Sequence, residues 1–220
     1  MGRSAIRFAL LGLTLLPALQ AAPVVACSVV SGYRVPTNLE LAERADLVLL
    51  GTAERDVPGA ADYDIGQVVV RPVALLKGEG LPAEVRIRGY LSDDPNRVVA
   101  SDPRDLLNPN PGALTGGCTR YVYHRGMLLL LFLQRDEHGQ LALAPYPFAR
   151  SAEDVASADA PWVHAVRLYV EIAALPEGER RAALTARRDA LRARTTEPDA
   201  ALLAEDIDRQ IRGRRIQPYD

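Results

Sequence analysis

Residues 127–133, Met-Leu-Leu-Leu-Leu-Phe-Leu, form an unbroken apolar run. It is bounded by turn signals, Arg125-Gly126 before it and Asp136-Glu137-His138-Gly139 after it. Such a run is the mark of a strand covered on both faces. It needs sheet partners at its edges and a layer on each side, and the N-terminal half of the chain has to supply them. Two flanking strands are predicted. In residues 118–124, Cys118, Arg120 and Val122 alternate with Thr119, Tyr121 and Tyr123, and residues 140–144 return after the second turn.

Upstream, Thr37-Asn38-Leu39-Glu40 fits a capping box, in which a hydroxyl and a carboxylate each satisfy a free backbone N–H. A short helix to Ala45 follows, with Leu39, Leu41 and Ala42 inward. Strands are predicted over 47–53, 66–76 and 84–90. Pro72 points to an edge or a bulge in the second. The third alternates Val85, Ile87 and Gly89 with Glu84, Arg86, Arg88 and Tyr90. Residues 57–65 read as a loop. So do residues 91–117, with Pro95, Pro103, Pro109 and Pro111, a length that usually marks a functional or mobile segment. This order of strands predicts a small antiparallel barrel or sandwich.

From Pro161 the apolar period becomes helical. Trp162, Val166, Tyr169, Val170 and Ala173 share one face of a helix ending near Leu175-Pro176. A second helix over 177–194 turns Ala183, Leu184, Ala190 and Leu191 inward. A third starts at Glu197-Pro198, carries Ala200, Leu203, Ile207 and Ile211, and stops at Gly213. The arginines here (Arg180, Arg181, Arg187, Arg188, Arg212, Arg214, Arg215) are interleaved with acidic residues and read as an ion-paired, solvated face. The whole chain has 26 basic and 28 acidic residues. No nucleic acid partner is expected from that balance.

Residues 1–26 read as a signal peptide: Arg3 and Arg7 lead, residues 8–16 are apolar, and small residues follow to Ala26. Pro17, Gln20 and Pro23 interrupt what a membrane anchor needs. The expectation is export to a periplasmic or extracellular space, with cleavage after Ala22 or Ala26 both fitting. Two cysteines, Cys27 and Cys118, in an oxidising compartment predict one disulfide. Its chain-entropy contribution is about 4 kcal/mol. Val24-Val25-Ala26-Cys27 also resembles a bacterial lipoprotein cleavage box with valine in place of the usual leucine. Lipidation of Cys27, and with it a membrane tether, stays open as the competing use of that residue.

The chemistry-bearing residues are dispersed. His124, His138 and His164 lie on a strand end, a turn and a helix, and no HExxH, CxxC or Gly-x-Ser-x-Gly occurs. No metal, no cofactor and no catalytic residue is therefore expected. Asp93, Asp94, Asn96 and Asp102 lack the spacing of a calcium loop and read as solvated. Tyr121 and Tyr123 share a strand face; packing against the C-terminal helices is expected over a stacking platform for bases.

The order of segments resembles a known family: Cys27 after the leader, a short helix, ADLVLLGTA, VVVRPVALLKGEG, then Cys118 leading into YHRGMLLLLFL. It is similar to the bacterial, exported relatives of the netrin-like and tissue-inhibitor-of-metalloproteinases domains, over residues 27–143. The resemblance implies a five-stranded barrel of the oligonucleotide/oligosaccharide-binding (OB) type with flanking helices. In the animal inhibitors the mature N-terminal cysteine chelates the target protease's zinc through its amine and carbonyl. This makes Cys27 and Ser28 a candidate inhibitory N-terminus if cleavage follows Ala26, with an exported protease as partner. Val29 stands where those inhibitors carry their second cysteine, and lipidation would block the amine. The resulting expectation is an α+β protein: signal peptide 1–26, OB/netrin-like barrel 27–148, and a C-terminal extension of about three helices over 149–220. Its expected role is a non-catalytic binding or envelope-associated module; a metalloprotease inhibitor and an outer-envelope lipoprotein are the alternatives, and a hydrolase lies further off.

Overall fold

The computed structural model describes residues 29–61, 64–115 and 117–213. Its strands in chain order are β1 (Leu47–Val57), β2 (Gln67–Lys77), β3 (Val85–Arg88), β4 (Tyr90–Ser92), β5 (Val122–His124), β6 (Leu128–Arg135), β7 (Leu141–Leu143) and β8 (Ala152–Asp154). The helices are α1 (Asn38–Arg44), α2 (Pro161–Ala173), α3 (Glu177–Arg192) and α4 (Ala200–Arg212). The main sheet is antiparallel, in the order β3-β2-β1-β6-β7, with β8 also on the far edge of β6.

The apolar run becomes β6, and it is covered on both faces. Leu130 and Phe132 face a layer made by α1 and α2, where Leu41, Ala42, Trp162, Val163 and Val166 are buried; Leu184 of α3 and Leu203 and Ile207 of α4 join the same cluster. Leu129, Leu131 and Leu133 face the concave side with Leu47, Leu49, Val68, Val70, Val85 and Ile87. Each such side chain, fully buried, stabilises the fold by about 1.5–3 kcal/mol. The period-two alternation of a strand assigns neighbouring residues of one run to two different cores.

Helix α1 begins as its capping box requires. The Glu40 amide donates to Thr37 Oγ1 (3.2 Å), and the Thr37 amide donates to the Glu40 carboxylate (2.9 Å). Its last carbonyls are satisfied by Lys77, the sole lysine, whose Nζ donates to Ala42 (2.8 Å), Glu43 (3.0 Å) and Ala45 (2.6 Å). Burial lowers the pKa of this ammonium against the pull of Asp46 and Glu43.

Pro72 sits in an internal strand at a bulge. The β1–β2 register slips between Leu50 and Gly51, and Gly51 faces Pro72. Strand β3 reaches only as far as Val70, so no ladder partner on that side needs the missing N–H. A Cβ at Gly51 would lie 2.6 Å from Val70 Cγ1, which fixes glycine there.

Several expectations are corrected. The strand predicted over 118–124 is ordered only as β5, which pairs in parallel with β4 and not with β6. Cys118 takes a left-handed φ of 57° and the Tyr123 hydroxyl donates back to the Arg120 carbonyl (2.9 Å), so the chain turns where alternation predicts extension. The strand over 84–90 breaks at Gly89, φ 148°, where a Cβ would meet the Tyr121 carbonyl oxygen at 2.5 Å. Tyr123 enters the concave core, away from the C-terminal helices. In α2, Ile172 is buried and Val170 only half-buried; in α3, Ala190 is exposed. The stretch read as a connector, 145–160, contains β8.

Candidate functional site: a cleft at the open seam of the sheet

The sheet curls until its two end strands, β3 and β7, approach with Cα atoms within 8 Å, yet among the described residues no hydrogen-bonded ladder joins them. Successive antiparallel pairings give β3 and β7 the same direction. Their outward backbone groups follow from hydrogen-bond parity. The Gly89 amide donates to Gly66 in the β2–β3 ladder, so Val85 and Ile87 bond inward and Arg86 and Arg88 offer N–H and C=O to the seam. The Ala144 amide donates to Phe132, so Leu141 and Leu143 do the same from β7.

Along this seam runs a cleft of about 1020 Å³. Gln67, Arg86 and Arg88 line one side, and Gln140 to Ala144 the other. The end of the long loop, Thr115, Thr119 and Tyr121, forms a third wall, and Arg120 and Glu153 reach it from behind. Tyr121 leans toward Tyr90, ring centroids 6.4 Å apart.

The wall behind the cleft is a buried network of two positive and two negative groups. Asp154 accepts from Arg120 Nη1 (2.5 Å) and from the Ser101 amide (3.0 Å). Glu153 accepts from the Asn110 amide (2.9 Å) and from Arg150 Nη2 (3.3 Å). The Ser101 hydroxyl lies 2.7 Å from Glu153 Oε2 and 2.8 Å from Asp154 Oδ1, able to donate to one at a time. Arg150 also donates to the Asp105 carbonyl, and its guanidinium carbon stands 4.1 Å from the centroid of the Trp162 ring. Arg120, Arg150 and Glu153 are 4%, 2% and 1% exposed, so removing any one leaves a charge buried without compensation. Burial pushes the Asp154 carboxyl up, but the Arg120 guanidinium and the Ser101 hydrogen bonds together hold it below its ordinary value. This network pins the loop over 97–115 to β8.

A second buried polar centre ties the helices together. Asp206, fully buried, accepts from Tyr169 Oη (2.5 Å), Asn38 Nδ2 (3.1 Å) and Arg209 Nε (3.1 Å). Gln210 Oε1 accepts from the Leu39 amide (3.0 Å), one of the free N–H groups at the start of α1. Burial, and then the Asp206 carboxylate, raise the Tyr169 phenol well above its ordinary pKa.

The residues singled out by sequence do not converge on one place. Cys27 and Ser28, which carry the disulfide, inhibitory and lipidation readings, lie outside the described residues. Cys118 is buried, and its carbonyl accepts from the Phe148 amide (2.7 Å). His124, His138 and His164 are exposed and apart, and among the described residues no group of three His, Cys, Asp or Glu could hold a metal ion. Asp94 and Asp102 accept from the amides of Asn96 (2.9 Å) and Arg104 (2.8 Å), forming local turns. The C-terminal arginines are largely ion-paired, Arg180 to Glu43 (3.0 Å), Arg187 to Glu171 (2.9 Å) and Arg188 to Asp208 (3.1 Å).

Sequence reasoning missed Ser101, Asn110, Arg120, Arg150, Glu153 and Asp154. A buried charge leaves no hydropathy signal, and β8 is too short for periodicity to register; the Pro-rich 91–117 stretch was the available pointer. No helix among the described residues is long and apolar enough to cross a membrane. Compared with known proteins, the chain matches no family model and no curated relative.

Proposed function

We propose that this chain is an exported, non-catalytic binding module: an OB-type barrel, backed by helices, that takes its ligand in the seam cleft. The barrel reading is supported by the strand order β3-β2-β1-β6-β7, with β3 and β7 meeting in the same direction, as in a partly open five-stranded Greek-key barrel. One observation carries the binding reading. The charged groups behind the cleft, Arg120 and Glu153, are held by fixed partners. Amides, hydroxyls, backbone edges and the outward Arg86 and Arg88 are left to face a ligand, which suits recognition more than proton transfer.

A disulfide between Cys27 and Cys118 belongs to the same proposal. The Tyr33 hydroxyl donates to the Pro147 carbonyl (2.9 Å), and Phe148 bonds the Cys118 carbonyl, so the chain near residue 29 runs close to Cys118. Val29 packs against the cluster that contains Cys118. The intact mass of the mature chain is expected to rise by about two hydrogens on reduction; a diacylglyceryl adduct on Cys27 would instead establish the lipoprotein alternative.

The binding reading is tested by NMR titration of the mature chain with a panel of short peptides, oligosaccharides and oligonucleotides. Shifts confined to the cleft walls, Arg86, Arg88, Thr119, Tyr121 and Gln140 to Leu143, are expected for at least one class. Turnover of any panel member, or silence throughout, overturns the reading.

A further inference from the structure

We propose that the seam cleft takes an extended peptide as an added strand between β3 and β7, with acidic and apolar side chains alternating along it. The inference rests on the binding reading above and names the class of ligand. Five antiparallel strands in one path leave their two end strands running the same way. Closing such a sheet directly requires a parallel pair; one further strand running the opposite way forms an antiparallel ladder with each end. Both ends are open to it. Arg86 and Arg88 on β3, and Leu141 and Leu143 on β7, direct backbone donors and acceptors into the seam.

The side chains set the pattern of the guest. On β3, Val85 and Ile87 are buried toward the concave core while Arg86 and Arg88 point out. On β7, Leu141 and Leu143 pack against that same core and Ala142 is exposed. A strand laid between them continues this alternation, with apolar residues inward and outward residues beside the arginines. Arg86 is shared with Glu84 (2.8 Å), whereas Arg88 makes no hydrogen bond or salt bridge among the described residues and feels only the longer-range charge of Asp64. An outward glutamate or aspartate gives it a direct ion pair. The cleft, about 1020 Å³, is large enough for several extended residues. Strands in a sheet lie about 4.8 Å apart, so a guest bonded to both edges needs β3 and β7 about 9.6 Å apart; their Cα atoms now approach within 8 Å, and the two strands part to admit it.

The test uses the mature full chain and three capped hexapeptides: alternating Glu-Val, alternating Lys-Val, and a block peptide of three Glu followed by three Val. The Glu-Val peptide is expected to bind at least tenfold tighter than either control. It should also slow amide exchange at Arg86, Arg88, Leu141 and Leu143. Arg88→Glu, on an exposed position that leaves the cores untouched, is expected to weaken Glu-Val binding at least tenfold and to strengthen Lys-Val binding. Equal binding of the block peptide, or binding without amide protection, overturns the added-strand proposal. If an oligosaccharide binds the cleft and the Glu-Val peptide does not, this proposal falls while the binding reading stands. If no ligand binds, both fall.

Discussion

The sheet is covered in two different ways. On the convex face, α1, α2, α3 and α4 meet it through an apolar layer in which Trp162, Val166, Tyr169, Leu203 and Ile207 are buried, with a single buried carboxylate, Asp206, at its centre. Beside the seam, the loop between β4 and β5 buries Leu106 and Ala113 but is tied to β8 through carboxylates: Asn110, Ser101 and Arg120 on Glu153 and Asp154. Apolar contact is tolerant, since a neighbouring methyl can relax into a gap. A buried ion pair is intolerant, because losing one partner strands the other. The helical cover therefore yields gradually to substitution, whereas the loop releases abruptly.

The largest effect should come from Glu153→Ala. It strands Arg150 and removes the acceptor of the Asn110 amide, for an expected loss of about 3–5 kcal/mol in urea unfolding. Amides from Ser101 to Asn110 should lose exchange protection more than those of α2 and α4. Equal loss in both regions would erase the contrast. Asp206→Asn keeps the shape but weakens the bonds to Tyr169 and Arg209, for an expected cost of about 2 kcal/mol. Its exchange signature should fall on α4 and the start of α1, leaving the loop protected.

The two coverings also differ in pH response. The Asp154 pKa is lowered below the ordinary 3.8, and burial of Asp105 is likewise outweighed by its hydrogen bonds to Asn108 and Leu107. Their stabilising contribution is complete above pH 3.8 and is lost as pH falls below that value, so acid should loosen the loop first. Burial raises the phenols of Tyr169 in the helical layer and Tyr123 in the concave core. Their contribution is full below pH 10 and drains as pH rises past it. Alkali should therefore weaken both cores together. Chemical shifts of the Ser101 and Asn110 amides between pH 5 and 2.5, against those of α2, check the acid limb. The smallest expected effect is Arg187→Ala, an exposed pair with Glu171, which should change stability by less than about 0.5 kcal/mol.

The contrast explains what was legible in the sequence. Residues 127–133 announced β6 because an apolar run has one economical home. The capping box announced α1, and helical periodicity announced α2 and α4, because each of these signals is local. The cleft was not legible. Its walls depend on Gly89 breaking a strand that alternates without fault, on Cys118 taking a left-handed turn, and on a three-residue strand, β8, that exists only because β6 has a free edge. Arg150 and Glu153 look in sequence like any surface pair three residues apart; only the Trp162 ring and the loop above them make them interior.

The central strand β6 bears on how the chain reaches this state. Strands β1, β2 and β3 can zip together as a local meander soon after they are made. The other edge of β1 has no mate until β6, so Leu47 waits for Leu133 and Thr52 for Leu128. The intervening chain includes the entire loop that later walls the cleft. Folding is thus expected to stall with one half assembled, its rate set by the long-range encounter of β1 with β6.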